Sequence, residues 1–193
     1  MIFKKYKRGG FLIKEWDASN VSYDHDYVTK RIERITSLVI PFTPTLLQLW
    51  GENGIYSSQE TIIKKESLSN LSIASNLNIL AEQLDNIHEE DLVHGDIKYA
   101  NIIFHSNRLM LIDWEPILVY TQANRTHFRS TMPYIASSDL EEKKITKLTD
   151  KIGFYFTCKG LLEVWRPYKR ADAIGIENHI KNLNCKEICK LFT

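Results

Sequence analysis

Val93-His94-Gly95-Asp96-Ile97-Lys98-Tyr99-Ala100-Asn101, followed by Leu111-Ile112-Asp113-Trp114-Glu115, is the stretch that decides how this chain is read. Between and within these segments, Asn101-Ile102-Ile103-Phe104 and Leu109-Met110-Leu111-Ile112 are apolar arms around the turn His105-Ser106-Asn107-Arg108. That pattern predicts a β-hairpin. Asp96 falls in the loop before it, Asn101 opens one arm, and Asp113 closes the other. Because the arms pair, the side chains of Asn101 and Asp113 converge at one end of the ribbon. Two oxygen donors there suit a hard, hydrated cation such as Mg²⁺ lying beside phosphate oxygens. Asp96, five residues before Asn101, is left to orient a hydroxyl and accept its proton. Lys98 is placed to neutralise phosphate charge as it moves.

Working outward, the N-terminal side reads as a small sheet with one helix. Ile2 to Tyr6 and Phe11 to Trp16 form a hairpin about the turn Lys7-Arg8-Gly9-Gly10. Apolar positions Tyr23, Tyr27, Val28, Ile32, Ile35 and Leu38 fall at helical spacing, and Pro41 and Pro44 end that helix. Leu46 to Trp50 and Ile55 to Lys65 are two further strands around Glu52-Asn53-Gly54. Beyond them, Leu77, Leu80, Leu84 and Ile87 predict a helix over 72–89 with one buried stripe. Residues 114–147 read as irregular. Thr149 to Trp165 reads as a helix buried nearly all round, and one or two short helices follow Pro167. The division expected is 1–66 and 67–193.

Composition excludes several classes. The 193 residues carry 25 Lys+Arg against 24 Asp+Glu, a formal charge of +1, so a nucleic-acid partner is not expected. No apolar run approaches the ~20 residues of a membrane span, and Met1-Ile2-Phe3-Lys4-Lys5 lacks a leader's apolar core. Three cysteines, Cys158, Cys185 and Cys189, do not make a disulfide framework. A cytoplasmic location is expected, with delivery to another cell left open. Cys185 and Cys189, with His179 nearby, read as small buried or partly buried thiols, since a fourth metal ligand is missing.

The ordered motifs resemble the protein-kinase-like superfamily. His94-Gly95-Asp96-Ile97-Lys98-Tyr99-Ala100-Asn101 is similar to the catalytic loop H-R-D-x-K-x-x-N, and Asp113-Trp114-Glu115 stands at D-F-G. Ser130-Thr131-Met132-Pro133-Tyr134-Ile135-Ala136 resembles the G-T-x-x-Y-x-A stretch that closes an activation segment. Thr149-Asp150-Lys151-Ile152-Gly153 resembles the opening of the family's central helix. The resemblance implies an α+β, bilobal kinase-like fold, with a reduced N-lobe sheet carrying one helix and a truncated, mainly helical C-lobe. It implies ATP and Mg²⁺ as cofactors, Asp96 and Lys98 as catalytic residues, and Asn101 and Asp113 as metal ligands. It also implies Lys14 on the nucleotide phosphates, with Glu33, nineteen residues on, as its ion-pair partner. His94 and Trp114 are implied to be packing residues, the backbone of His94 being held by the carboxylate of Asp150.

The departures carry their own expectations. No G-x-G-x-x-G precedes Lys14, so the phosphate-covering loop is expected to be missing, and with it part of the nucleotide's backbone cradle. Gly95 replaces the Arg on which a phosphorylated activation loop docks, so activity is expected not to need that switch. Ser137-Ser138 replace P-E, so the ion pair that braces this region is expected to be gone. Few residues follow Trp165, which implies a shortened set of closing helices. Lys98 and Thr131 favour a serine/threonine protein kinase acting on a protein substrate or with a regulatory partner protein. His94-Gly95-Asp96 and Asp113-Trp114-Glu115 favour kinases of sugars, aminoglycosides or lipid head groups. Loss of the Gly-rich loop favours a catalytically inactive binding module.

Overall fold

The computed structural model describes residues 2–37, 46–52, 55–61, 73–114, 119–122, 125–128, 130–163 and 168–192. Expectations on Pro41, Pro44, Asn53, Gly54, Glu115, Trp165 and Pro167 lie outside the described residues. The chain divides into two compact units, Met1–Lys64 with Trp114–Arg129, and Lys65–Asp113 with Ser130–Thr193.

The first unit is built on an antiparallel sheet of β1 (Ile2–Arg8), β2 (Phe11–Asp17), β4 (Leu46–Glu52) and β5 (Ile55–Thr61), in the order β1-β2-β5-β4. Arg8 pairs with Phe11, so Gly9 and Gly10 alone make the first turn, both at positive φ (57° and 85°). A two-residue turn of that hand matches strand twist, and glycine reaches it without a Cβ penalty. Alternation along β2 puts Lys14 and Trp16 on its buried face. After β3 (Ser22–Tyr23), the Asp24 carboxylate accepts from the N–H of Tyr27 (2.9 Å) and caps α1 (His25–Ser37). Among the described side chains of α1, Val28, Arg31 and Ile35, at helical spacing, are buried. Trp16, Ala18, Val21, Val28 and Tyr56 form the core, flanked by Tyr23, Tyr27 and Ile32.

The sequence expects 114–147 to be irregular. The structure instead forms β8 (Val119–Gln122) and β9 (Arg125–Phe128), which join β3 in a sheet of order β3-β8-β9. These strands have β-branched and aromatic residues, but at four residues each they are too short to show a period.

In the second unit α2 (Ile73–Glu89) buries Leu77, Leu80, Leu84, Ile87 and His88 on one stripe. A 3₁₀ turn at Tyr99–Asn101 leads into the hairpin β6 (Ile102–His105) and β7 (Arg108–Leu111). Its turn is Ser106-Asn107, both at positive φ, a tighter connection than the four-residue turn read from sequence. There follow α3 (Ser137–Glu142), α4 (Lys147–Leu162), α5 (Arg170–Ile180) and α6 (Cys185–Cys189). The Thr146 hydroxyl caps α4, and Ile152, Phe154, Phe156 and Cys158 fill the centre. α2 packs against α4 and α6. All three cysteines are buried and none is in a disulfide, while His179 is exposed. Among the described residues no helix is long and apolar enough to cross a membrane.

Candidate active site

The loop after α2 is held by several parts of the second unit. The loop begins on Asp150, in the first turn of α4 and fully buried. Its Oδ2 accepts from the backbone N–H of His94 (2.7 Å), and its Oδ1 from that of Gly95 (2.5 Å). The His88 Nε2 lies 3.0 Å from the same Oδ2. Burial alone would raise the Asp150 pKa. The hydrogen bond from His88 and the Gly95 N–H outweigh it and hold the carboxyl below its ordinary value. The expectation that Asp150 holds the His94 backbone is met in this geometry.

The His94 ring is buried and bridges two strands of the loop. Its Nε2 lies 2.9 Å from the Ile112 carbonyl, and its Nδ1 3.2 Å from the N–H of Asp96. A carbonyl only accepts and a backbone N–H only donates, so these partners assign the proton to Nε2. The ring therefore ties the backbone of Asp96 to the residue preceding Asp113. Gly95, between them, sits at φ 82°, in the region that glycine occupies without strain.

The Asp96 carboxylate is gripped on both oxygens. Oδ1 accepts from the N–H (2.9 Å) and hydroxyl (2.5 Å) of Thr131. Oδ2 accepts from Lys98 Nζ (2.7 Å) and Asn101 Nδ2 (3.2 Å). Lys98 Nζ also donates to the Thr131 hydroxyl oxygen (2.9 Å), which closes a triangle of Asp96, Lys98 and Thr131. Next to it Ser130 Oγ donates to the Gly95 carbonyl (2.5 Å). Asn101 is buried and spends its amide N–H₂ on Asp96, including the backbone carbonyl (2.9 Å). The Ile112 N–H donates to the Asn101 carbonyl (2.9 Å), so the hairpin brings Asn101 level with Ile112 and next to Asp113 at its open end. Asp113 holds φ 67°, an uncommon value for a residue with a side chain. Its carboxylate and the Asn101 amide oxygen are hard donors of the kind Mg²⁺ takes.

Lys14 belongs to the first unit, where it is 1% exposed, so it is not a surface lysine of a strand. Glu33 is placed differently from the expectation. It is exposed on α1, and among the described residues no ion pair joins it to Lys14. The reason is helical phase: Val28, Arg31 and Ile35 take the inward face, and Glu33, two residues from Arg31, points about 200° away. Trp114 is buried, as a packing residue should be. Sequence reasoning missed His88 and Ser130. His88 carried one signal, a histidine in line with the apolar stripe of α2; Ser130 carried another, its place at the head of the Ser130–Ala136 motif.

The brace expected to be gone at Ser137-Ser138 is rebuilt from α5. The Glu177 carboxylate accepts from the N–H (3.0 Å) and hydroxyl (2.8 Å) of Ser137, and Arg170 donates to the same hydroxyl oxygen (3.1 Å).

The sequence family described as protein kinase domain matches residues 23–191. The chain belongs to the protein kinase domain family. This kinase domain is also similar, over shorter stretches, to two curated proteins named Acyl-CoA dehydrogenase family member 11. The Pongo abelii protein is 30% identical over 89 residues, and the Homo sapiens protein 30% identical over 88. Each match covers 40% of this chain and 11% of the relative, so the kinase domain spans a small part of their length. Membership carries the α+β kinase-like fold; phosphotransfer is the chemistry characteristic of that family.

Proposed function

We propose that the chain is an ATP-dependent kinase that phosphorylates serine or threonine hydroxyls of a protein. The observation that carries this reading is the Asp96–Lys98–Thr131 triangle, the arrangement expected of serine/threonine protein kinases. A carboxylate fixed on both oxygens has no rotamer to search when an acceptor arrives, so its contribution to positioning needs no rearrangement. The acceptor hydroxyl is oriented by Asp96 and gives up its proton to that carboxylate as its oxygen bonds to the γ-phosphorus; ADP departs with the bridging oxygen. Lys98, already beside Asp96, stabilises charge on the phosphoryl group in transfer. Asn101 and Asp113 are the residues to hold Mg²⁺, which when bound neutralises charge on the phosphate oxygens. Lys14 is assigned to the nucleotide phosphates on its strand position and burial, and Glu33, exposed, is not assigned. A protein substrate, and a cytoplasmic location, belong to this reading.

A second reading, phosphorylation of a small hydroxylated molecule, is favoured by one feature of the loop. Gly95 takes the place of the arginine of protein kinases and sits at positive φ. Incubating the purified chain with labelled ATP and Mg²⁺, beside generic protein acceptors and beside sugars, aminoglycosides or lipid head groups, separates the two. Label on protein serine or threonine supports the first. Label confined to small molecules replaces it with the second. No transfer, together with no thermal shift from nucleotide, leaves the inactive binding module.

A further inference from the structure

Away from the catalytic loop, one cluster in the second unit brings together three kinds of metal-binding side chain. Asp85 and His88 lie three apart on α2 and so share a face, and Cys185 opens α6. One ligand atom from each lies within 4.8 Å of the other two. His88 and Cys185 are buried and Asp85 is half-buried, so the cluster has one solvent-facing side by which an ion can enter. We propose that Asp85, His88 and Cys185 form a zinc site, with a water molecule as the fourth ligand.

Three observations support it. The first is the donor set: thiolate, imidazole and carboxylate suit Zn²⁺, whereas the sulfur is a poor ligand for Mg²⁺ or Ca²⁺. The second is orientation. His88 Nε2 is engaged by the buried Asp150 carboxylate at 3.0 Å, the outer-shell partner that metal-bound histidines ordinarily have, and this leaves Nδ1 as the ligating nitrogen. The third is preorganisation. Asp85 accepts the backbone N–H groups of Cys185 (2.6 Å) and Lys186 (3.0 Å), which fastens the start of α6 to α2. Each of its oxygens has a further lone pair for a metal. Tetrahedral ligands on zinc stand about 3.3–3.6 Å apart, so side-chain adjustments of about 1 Å close the site. The charges balance: with a neutral His88, the Asp85 carboxylate and the Cys185 thiolate match the ion. The thiol's proton leaves to solvent as the sulfur–zinc bond forms.

The test uses the full chain without an affinity tag, stripped by chelator. It is titrated with Zn²⁺ against a chromophoric competitor and with Co²⁺ as an optical probe. The expected result is one equivalent of Zn²⁺ bound, a thiolate-to-cobalt charge-transfer band, and a melting temperature raised by Zn²⁺. Cys185→Ser and His88→Gln should each weaken Zn²⁺ binding by at least about tenfold, and Cys189→Ser should leave it unchanged. If Cys185→Ser does not fold, Asp85→Asn carries the test. It keeps an oxygen for the two backbone N–H groups and should lose affinity with its circular dichroism intact. Absence of stoichiometric uptake overturns the assignment. So does absence of the charge-transfer band, affinity unmoved in the folded ligand variants, or loss of binding in Cys189→Ser.

Discussion

At the scale of residues, the account rests on how Asp96 is held. Four donors converge on its two oxygens, and the three that are side-chain groups can be removed singly. Thr131→Val deletes the hydroxyl that donates to Oδ1 and accepts from Lys98, while keeping the side chain's shape. It should lower kcat by about 10–100-fold with little change in KM for ATP, since positioning and not nucleotide binding is lost. Steady-state kinetics at varied ATP checks this; a rise in KM at constant kcat contradicts it. Asp150 gives a prediction in pH. Its carboxyl titrates below its ordinary value because bonds to His88, His94 and Gly95 overcome burial. The stability it supplies is therefore fully present above the unfolded pKa of 3.8 and is lost as pH falls through the lower folded value. Asp150→Asn should cost about 1.5–3 kcal/mol near neutral pH, and the gap from wild type should shrink at about pH 3. Urea unfolding at the two pH values measures it, and a gap independent of pH contradicts the assignment. The grouping of Asp96, Lys98 and Asn101 was legible because it is encoded in short, local spacing. His88 and Ser130 were not, since their partners stand 62 and 35 residues away.

Among the elements, the strongly periodic ones could be read directly. The Leu77–Ile87 stripe gives α2, and the apolar arms 101–104 and 109–112 give β6 and β7, because burial of one face forces a period. The β8–β9 hairpin could not be read. Phase was the other failure. Glu33 is the one glutamate of α1, yet Arg31, not Glu33, shares the inward face with Val28 and Ile35. Which face turns in depends on Trp16 and Tyr56 from other strands, not on the helix alone. Close approach of α4 to the catalytic loop gives a further prediction. A Cβ on Gly153 would collide with the Ile97 carbonyl, so Gly153 is where the helix lets the loop backbone in. Gly153→Ala should destabilise the chain by about 1–3 kcal/mol, opposite in sign to the usual gain from Gly→Ala within a helix. Thermal unfolding decides between those signs.

For the molecule as a whole, hydrogen bonds do the ordering that a phosphate does elsewhere. Ser130 to Gly95, Thr131 to Asp96 and Lys98, and Glu177 with Arg170 on Ser137 tie the segment 130–137 to the rest of the second unit. No arginine stands at position 95 to receive a phosphoryl group. Phosphatase treatment should therefore leave the transfer rate within about twofold; a large loss would show that the segment needs a modification to order. The measurement that tests the central claim most directly compares wild type with Asp96→Ala in transfer of labelled phosphate from ATP and Mg²⁺ to a protein acceptor, with unfolding curves recorded alongside. The account predicts label on serine or threonine in wild type and a fall on the order of 10²–10⁴-fold in a variant that remains folded. Undiminished transfer by folded Asp96→Ala would contradict it.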